Sequence, residues 1–449
     1  MAGDEETGTD DTVAARGLQP GWAGWRQNLF SVAAMRRHAV WVAAAAASGL
    51  GAYLFNYTEQ LSQESRAWMT GISPFLPAGV VSISLVIICA LRDRVFPGTD
   101  GTGIPQTIAA LKIPDGPERT KVLSVRIMIG KMLLLVMGLF AGPTIGREGP
   151  SVHVAACLMY LSTRFANFQH HLVQRGLILA GGAAGIAAAF NTPIAGAVFA
   201  FEEIGRSFEK DNAGTIVRTA VVACIVNLIF LGDYYFYGRI DVGLATLEEW
   251  LLVPVIGIVG GLLGGTFAQG VVSVNRLLSP LRAKHPHLVA LGLGVGLGVI
   301  GLVSGGLSYG SGYPAAEGIL IHGESYPIYL APVVAAGNFI TLLSGIPGGL
   351  FDPSLTTGAA LGQITQPLFP NIDPQALVLL WMVSYFSGVV QSPITAFVIL
   401  IEMTSAHYMA LPLALAALLA YEMSHLICRT SLYESLAESF LAGMQPAKK

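Results

Sequence analysis

The sequence predicts an all-α polytopic membrane protein built from two repeats of short, broken helices. Three observations carry that prediction. The chain is 53% hydrophobic and only 12% charged, about half the charged share of a soluble domain. Its apolar runs reach helix length and lack the alternation over about ten residues that marks an outer-membrane barrel, so helices are the spanning element. Two stretches of the first half recur in the second half.

Composition also removes several classes of function. Net charge is −3, which leaves no basic field for nucleic acid. Cys89, Cys157, Cys224 and Cys428 stand singly in apolar surroundings, without disulfide or metal spacing. No cofactor motif is present, and no metal site is expected. The acidic start, with Asp4, Glu5, Glu6, Asp10 and Asp11, is unlike a signal peptide and reads as a cytoplasmic tail over residues 1–35.

The first membrane repeat is expected over 36–235. A first span begins after Arg36, Arg37 and His38 and runs to about Phe55; a second covers about Phe75 to Leu91 and ends at Arg92, Asp93 and Arg94. Both basic clusters face the cytoplasm under the positive-inside rule. The stretch from Gly98 to Gln106 is rich in glycine, and the apolar run after it, to Leu111, is too short to span, which fits a re-entrant helix. Its Gly-x-Gly lacks the Lys-Ser/Thr of a P-loop and equally reads as a flexible turn. Apolar segments follow at about 123–141, 150–164, 173–190, 192–204 and 215–231, several of them interrupted by Gly or Pro. Such interruptions mark discontinuous helices in transporters. Gly232 to Glu249 is polar and divides the chain. The second membrane repeat is expected over 245–440 and a short cytoplasmic tail over 441–449. Gly257, Gly261 and Gly265, and then Gly292 and Gly296, give small-residue faces for close helix packing.

The halves match in two places. Asn191-Thr192-Pro193-Ile194-Ala195-Gly196, with Val198 and Glu202, parallels Gln391-Ser392-Pro393-Ile394-Thr395-Ala396, with Val398 and Glu402. Gly142 to Ser151 parallels Gly345 to Ser354. A duplication with paired broken helices points to a substrate site at the repeat interface near mid-membrane. Either a parallel or an inverted relation fits these matches.

Gly146-Arg147-Glu148-Gly149-Pro150 lies between the apolar runs Met132–Ala141 and Val152–Leu161. An Arg–Glu pair in that setting is a functional candidate because intramembrane charge is costly. The glycines let backbone N–H groups approach a ligand, Pro150 suits a first helical turn, and the positive end of a helix attracts an anion. Glu148 would then be a tethered carboxylate competing for an anion site. The same residues also read as a capped helix start with an Arg–Glu pair at the membrane surface. Gly101 to Pro105 and Gly348 to Pro353 are further glycine-rich helix starts, and only Arg147, with Lys131 upstream, adds a formal cation. Many weak donors hold an anion and still release it, as conduction requires.

With these motifs in this order, the sequence resembles the CLC family of chloride channels and chloride/proton exchangers over roughly residues 35–440. The signatures are Gly101-Thr102-Gly103-Ile104-Pro105, Gly146-Arg147-Glu148-Gly149-Pro150, Gly349-Leu350-Phe351-Asp352-Pro353 and the tyrosine of Leu432-Tyr433-Glu434. The resemblance implies inverted repeats, cytoplasmic termini, and a homodimer in the lipid bilayer with one anion pathway per protomer. The setting expected is a bacterial inner membrane. The resemblance also implies that Glu148 is the gating carboxylate and Glu203 the internal proton-transfer acid. Thr102, Gly103, Ile104, Arg147, Gly149, Leu350, Phe351 and Tyr433 are implied to surround the anion. Chloride and protons would be transported ligands, with no cofactor. Thr102 stands where chloride-selective members carry Ser; neither the Pro of nitrate-preferring members nor the Met of fluoride exporters is present. With only Pro446 to Lys449 after the last helix, no regulatory C-terminal domain is expected. The function implied is exchange of chloride or a similar small anion for protons, with a passive anion channel of the same fold as the alternative.

Other candidates fit less well. Glu202 has a repeat counterpart in Glu402, which suits a structural role; Glu203 faces Met403 in the repeat, which suits a role on one pathway, although an ion pair to Arg206 is a competing use. Tyr433 alone would read as an interfacial aromatic. Asp352 lacks the second intramembrane Asp of an aspartyl protease. No His-Glu-x-x-His or Ser–His arrangement supports an enzyme. His170-His171 reads as a solvated doublet in a linker.

Overall fold

The computed structural model describes residues 32–114, 116–166, 171–206, 210–232 and 234–444; the acidic start, His170, Glu209 and the end of the chain after Met444 lie outside them. Among the described residues, eight helices are long and apolar enough to cross a membrane, and shorter apolar helices lie between them. The isolated bridge Gly146–Gly349 is the extended pairing recorded among those residues.

Several helices outrun what hydropathy predicts. The first runs Val32–Ile72, not to Phe55. Its second half carries Glu59, Ser62 and Arg66, polar residues that hydropathy assigns to water. They are instead satisfied inside the protein: Ser62 Oγ donates to the Glu59 carbonyl at 2.7 Å, and Arg66 Nη1 donates to Ser62 Oγ at 2.9 Å and to the Leu139 carbonyl at 2.8 Å. The helix starts inside the expected tail, at Val32, and the last helix, Leu432–Met444, extends beyond residue 440. The helix of the second half, Leu247–Lys284, is also longer than a bilayer needs, and a capping box of Thr246 with Glu249 fixes its start.

The expected re-entrant stretch is the nine-residue helix Ile104–Lys112, buried through Leu111. The segment expected at 192–204 is Pro193–Phe199, continued by a π-helical turn, Ala200–Gly205. Such turns within helices recur at functional sites.

Equivalent elements make equivalent contacts. Glu148–Ser162 packs on His171–Phe190, as Phe351–Thr365 packs on Pro374–Val390. Val32–Ile72 packs on Lys210–Leu231, as Leu247–Lys284 packs on Ala410–Ile427. Along a central line the halves meet through their own counterparts: Phe75–Arg94 against Pro286–Val303, and Pro193–Phe199 against Pro393–Thr404. Reciprocal hydrogen bonds fix the symmetry. Glu402 accepts from the Ile194 N–H at 3.1 Å and the Ala195 N–H at 2.6 Å; Glu202 accepts from the Ile394 N–H at 3.0 Å and the Thr395 N–H at 2.7 Å. Such exchange is the mark of a two-fold relation, which an end-to-end translation does not produce. Glu202 and Glu402 are therefore structural caps.

The small-residue faces are half as expected. Gly257, Gly261 and Gly265 lie against Ala410–Ile427; a Cβ would stand 3.0 Å from the Ala416 carbonyl oxygen at Gly257 and 2.8 Å from Ser424 Cα at Gly265. Gly292 and Gly296 do not form the second face. Nothing lies within 4 Å of a Cβ at Gly292. Gly294 and Gly298 make the close approach, to Ser82 and Ala78 of Phe75–Arg94, because that register turns toward the neighbouring helix. Gly298→Leu is expected to destabilise by about 1–3 kcal/mol through over-packing, and Gly292→Leu to leave the melting temperature in detergent unchanged. Equal melting of the two variants would break this assignment of faces.

Candidate functional site

Three helix starts converge. The loop before Ile104–Lys112 is tied to the second half by the Gly101 N–H, which donates to the Gly345 carbonyl at 2.8 Å. Lys131, fully buried, donates to the carbonyls of Thr99 at 2.8 Å, Asp100 at 3.1 Å and Gly101 at 2.9 Å. The upstream cation thus shapes the loop that presents Thr102. Gly103 adopts a left-handed φ of 103°, and a Cβ there would stand 2.6 Å from His153 Cβ. Gly149 is required for the reverse reason: a Cβ on it would stand 2.7 Å from the Thr102 carbonyl oxygen. These two glycines seat the loop against the start of Glu148–Ser162, and Ile104 is buried behind it.

The other two starts are joined across the two-fold. The Gly146 N–H donates to the Gly349 carbonyl at 3.0 Å and the Gly349 N–H to the Gly146 carbonyl at 2.7 Å. This places Glu148, first residue of its helix, opposite Leu350 and Phe351 at the start of Phe351–Thr365. The Phe351 N–H donates to Glu148 Oε1. A carboxylate therefore sits on a helix-start donor, where partial positive charge collects. Glu148, Leu350 and Phe351 are fully buried.

Two hydroxyls complete the site. Thr102 Oγ1 and Tyr433 Oη are buried without hydrogen-bond partners among the described residues. Buried polar groups are nearly always paired, so two such hydroxyls beside helix starts suit a hydrogen-bond acceptor as ligand. Tyr433 packs near the Phe351 ring, with centroids 6.5 Å apart.

Two clefts approach from opposite ends. One, of about 230 Å³, reaches Thr102 and is bordered by Asp100, Arg282 and Leu436. The other, of about 560 Å³, reaches Arg147 and is bordered by Glu59, Tyr237 and Tyr313. Arg147 is turned toward this second cleft, not toward the hydroxyls. Its guanidinium forms an ion pair with Glu59, which also accepts from Ser311 Oγ, and lies 5.7 Å from the Phe236 ring centroid. Arg147 thus contributes compensating charge and a wall of the cleft. Its partner Glu59 was hidden from hydropathy; the one available signal was its spacing with Ser62 and Arg66 along one face of an otherwise apolar helix.

Glu203 is buried in the π turn and accepts from Ser392 Oγ at 2.7 Å and Ser431 Oγ at 3.0 Å. The ion pair to Arg206 also forms, at 3.7 Å, but Arg206 bonds Glu434 more closely. Ser392 lies in the duplicated Gln391-Ser392-Pro393 stretch, whereas Ser431, before the last helix, has no motif to announce it. Asp352 is buried beside the site as well, with neither carboxylate oxygen hydrogen-bonded among the described residues.

The arrangement brings helix-start amides, two unpartnered hydroxyls and a buried carboxylate to one place. Residues 84–425 match the family model described as voltage gated chloride channel. The chain belongs to that family. Its relatives include the H(+)/Cl(-) exchange transporter ClcA of Vibrio cholerae serotype O1, 28% identical over 423 residues, covering 89% of this chain and 88% of the relative. ClcA of Klebsiella pneumoniae is 28% identical over 372 residues, with 79% and 77% covered. The fold is that of a slow cyanobacterial Cl−/H+ antiporter, with a TM-score of 0.76, 24% identity, and 91% and 99% of the two chains covered. A CLC-type fluoride/proton antiporter has the same TM-score at 18% identity, covering 93% of this chain and 99% of its own.

Removing one partner of a buried ion pair leaves an uncompensated charge, at about 3–5 kcal/mol. Glu59→Gln is expected to lower stability by that order, and Glu59→Gln with Arg147→Met to recover most of it. The check is a double-mutant cycle by thermal unfolding in detergent; additive losses would mean the two side chains are not coupled.

Proposed function

We propose that this integral membrane protein exchanges chloride, or a similar small anion, for protons, with Glu148 as the gate and Glu203 as the acid on the opposite pathway. The observation that carries the reading is the Glu148 carboxylate resting on the Phe351 N–H at a helix start. An anion and this carboxylate compete for the same donor. Ionised, Glu148 occupies it; protonated, it loses the attraction and yields to an anion. Proton binding and anion binding are thereby linked at one position.

The cleft beside Arg147 is then the external approach and the cleft beside Thr102 the internal one. Support for this orientation comes from the basic residues Arg36, Arg37, Arg92 and Arg94, which lie at the start of the first helix and the end of the second, hence on one membrane face. On this assignment both termini are cytoplasmic and the membrane is a bacterial inner membrane. The central anion is held by the Phe351 and Leu350 amides, the Thr102 hydroxyl and the Tyr433 phenol. Gly103, Ile104 and Gly149 shape that site, and the protein works as a homodimer with a pathway in each protomer. The relatives named as H(+)/Cl(-) exchange transporters support coupling to protons. So does Glu203, a buried carboxylate that a passive channel has no use for.

In liposomes carrying a chloride gradient, the wild type is expected to drive protons uphill. Glu148→Gln should abolish proton movement while anion flux continues. Glu203→Gln should likewise remove coupling and spare chloride transport; proton pumping that survives either change would overturn that residue's role. A wild type that moves no protons would be a channel.

The two unpartnered hydroxyls give a separate check. A hydrogen bond to a charged group is worth about 1.5–3 kcal/mol. Thr102→Val combined with Tyr433→Phe should therefore weaken chloride binding measurably by calorimetry. Unchanged affinity would leave the backbone donors holding the anion alone.

A further inference from the structure

Asp352 is the second residue of helix Phe351–Thr365, directly after the amide that holds Glu148. Its repeat counterpart is Gly149, as that of Phe351 is Glu148. The two joined helix starts thus carry one acid each, at neighbouring positions across the two-fold.

The surroundings of Asp352 hold little to balance it. The fully buried Asp352 carboxylate has no hydrogen-bond partner among the described residues and follows directly on the amide bonded to Glu148, with the Arg147 guanidinium as the cation within electrostatic reach. Tyr237 faces it from the segment between the halves and Tyr313 from helix Tyr313–His322, with Glu317 beside both tyrosines. His322 closes the same helix at the cleft. Helices Leu330–Ser344 and Pro374–Val390, which also pack on Phe351–Thr365, bring no charged side chain; Tyr385, their one titratable group, is directed at Phe267. Glu59 is ion-paired with Arg147 and accepts a hydrogen bond from Ser311 Oγ.

One guanidinium therefore serves three carboxylates: Glu59, Glu148 and Asp352. A site that excludes water does not hold two uncompensated negative charges. Glu59 takes the direct ion pair and a hydroxyl donor, so the proton this cluster requires falls to Glu148 and Asp352 together, as in other close carboxylate pairs. Tyr237 and Tyr313, which face Asp352, also border the cleft beside Arg147, as Arg147 itself does.

We propose that Asp352 is a second proton-binding carboxylate of the gate, exchanging a proton with water in the cleft beside Arg147 and with Glu148, so that anion binding is linked to pH through two acids. This rests on the reading of Glu148 as the gate. In the step, Glu148 rests ionised on the Phe351 amide while Asp352 holds the proton of the pair. The Asp352 O–H bond breaks as a bond forms to a Glu148 oxygen, and a hydronium ion in the cleft then gives its proton to the Asp352 carboxylate and leaves as water. Both acids are then neutral, and Glu148 leaves the Phe351 amide to the incoming anion, which replaces the negative charge it carried.

The test uses the full-length protein with Glu148→Gln, which removes the gating acid and leaves Asp352. Calorimetric titration with chloride is expected to show affinity falling about tenfold between about pH 5 and about pH 8, one decade for each pKa unit of coupling. Chloride binding should also take up a fraction of a proton, read from the dependence of the heat on buffer ionisation. Adding Asp352→Asn, or Asp352→Ala in parallel, should make the affinity flat with pH. Affinity independent of pH and no proton uptake in Glu148→Gln alone would overturn the proposal, and this measurement needs no change at Asp352. Persistence of the pH dependence in both double variants would overturn it equally. The gate reading fails by a different result, namely proton pumping that survives Glu148→Gln.

Discussion

A helix broken inside a membrane leaves amide donors with no water to satisfy them, and this constraint governs the centre of the protein. The solution is for each half to complete the other. Glu402 caps the helix beginning at Pro193, and Glu202 caps the one beginning at Pro393. Gly345 receives the Gly101 amide, and Gly146 and Gly349 exchange two hydrogen bonds. Neither half can form these starts without the other. The start at Phe351 is completed in another way, by the side chain of Glu148, and nothing in the repeat reciprocates it. The exchange at the caps is symmetric and fixed. The contact at Phe351 is one-sided, made by a titratable side chain on a single amide.

The buried charges follow the same economy. Lys131 is used up by three loop carbonyls and Arg147 by Glu59, so neither cation grips the anion site directly. A bare cation at the site would hold an anion too firmly for turnover; dipoles and hydroxyls do not. The cations act one layer back: Lys131 shapes the Thr102 loop and Arg147 offsets Glu59.

The fold was legible from the sequence because hydrophobic runs, glycine-proline starts and the duplicated motifs are local signals. The three helix starts that converge on the site were all visible as motifs, as was the pairing of Glu202 with Glu402. What escaped is what depends on the third dimension. The polar half of the first helix looks like a loop until Arg147 and Ser311 are placed beside Glu59. Glycine register on Pro286–Val303 cannot be chosen without its neighbour, since Gly292, Gly294, Gly296 and Gly298 offer two faces of equal quality on paper. The hydroxyls that bond Glu203 are far away in sequence: Ser392 sits in a duplicated stretch that says nothing of this contact, and Ser431 carries no pattern.

The reciprocal capping by Glu202 and Glu402 has a consequence for origin. An interface in which each side supplies the same acid to the same pair of amides is self-complementary. A half-length chain with one such glutamate and one such helix start would find, in a second copy inserted the opposite way up, the partner it needs. The present chain has the form of that pair joined end to end. The halves keep the same glutamate and isoleucine where the contact is mutual, at Glu202 and Glu402 and at Ile194 and Ile394, and differ at Glu148 and Phe351 and at Glu203 and Met403.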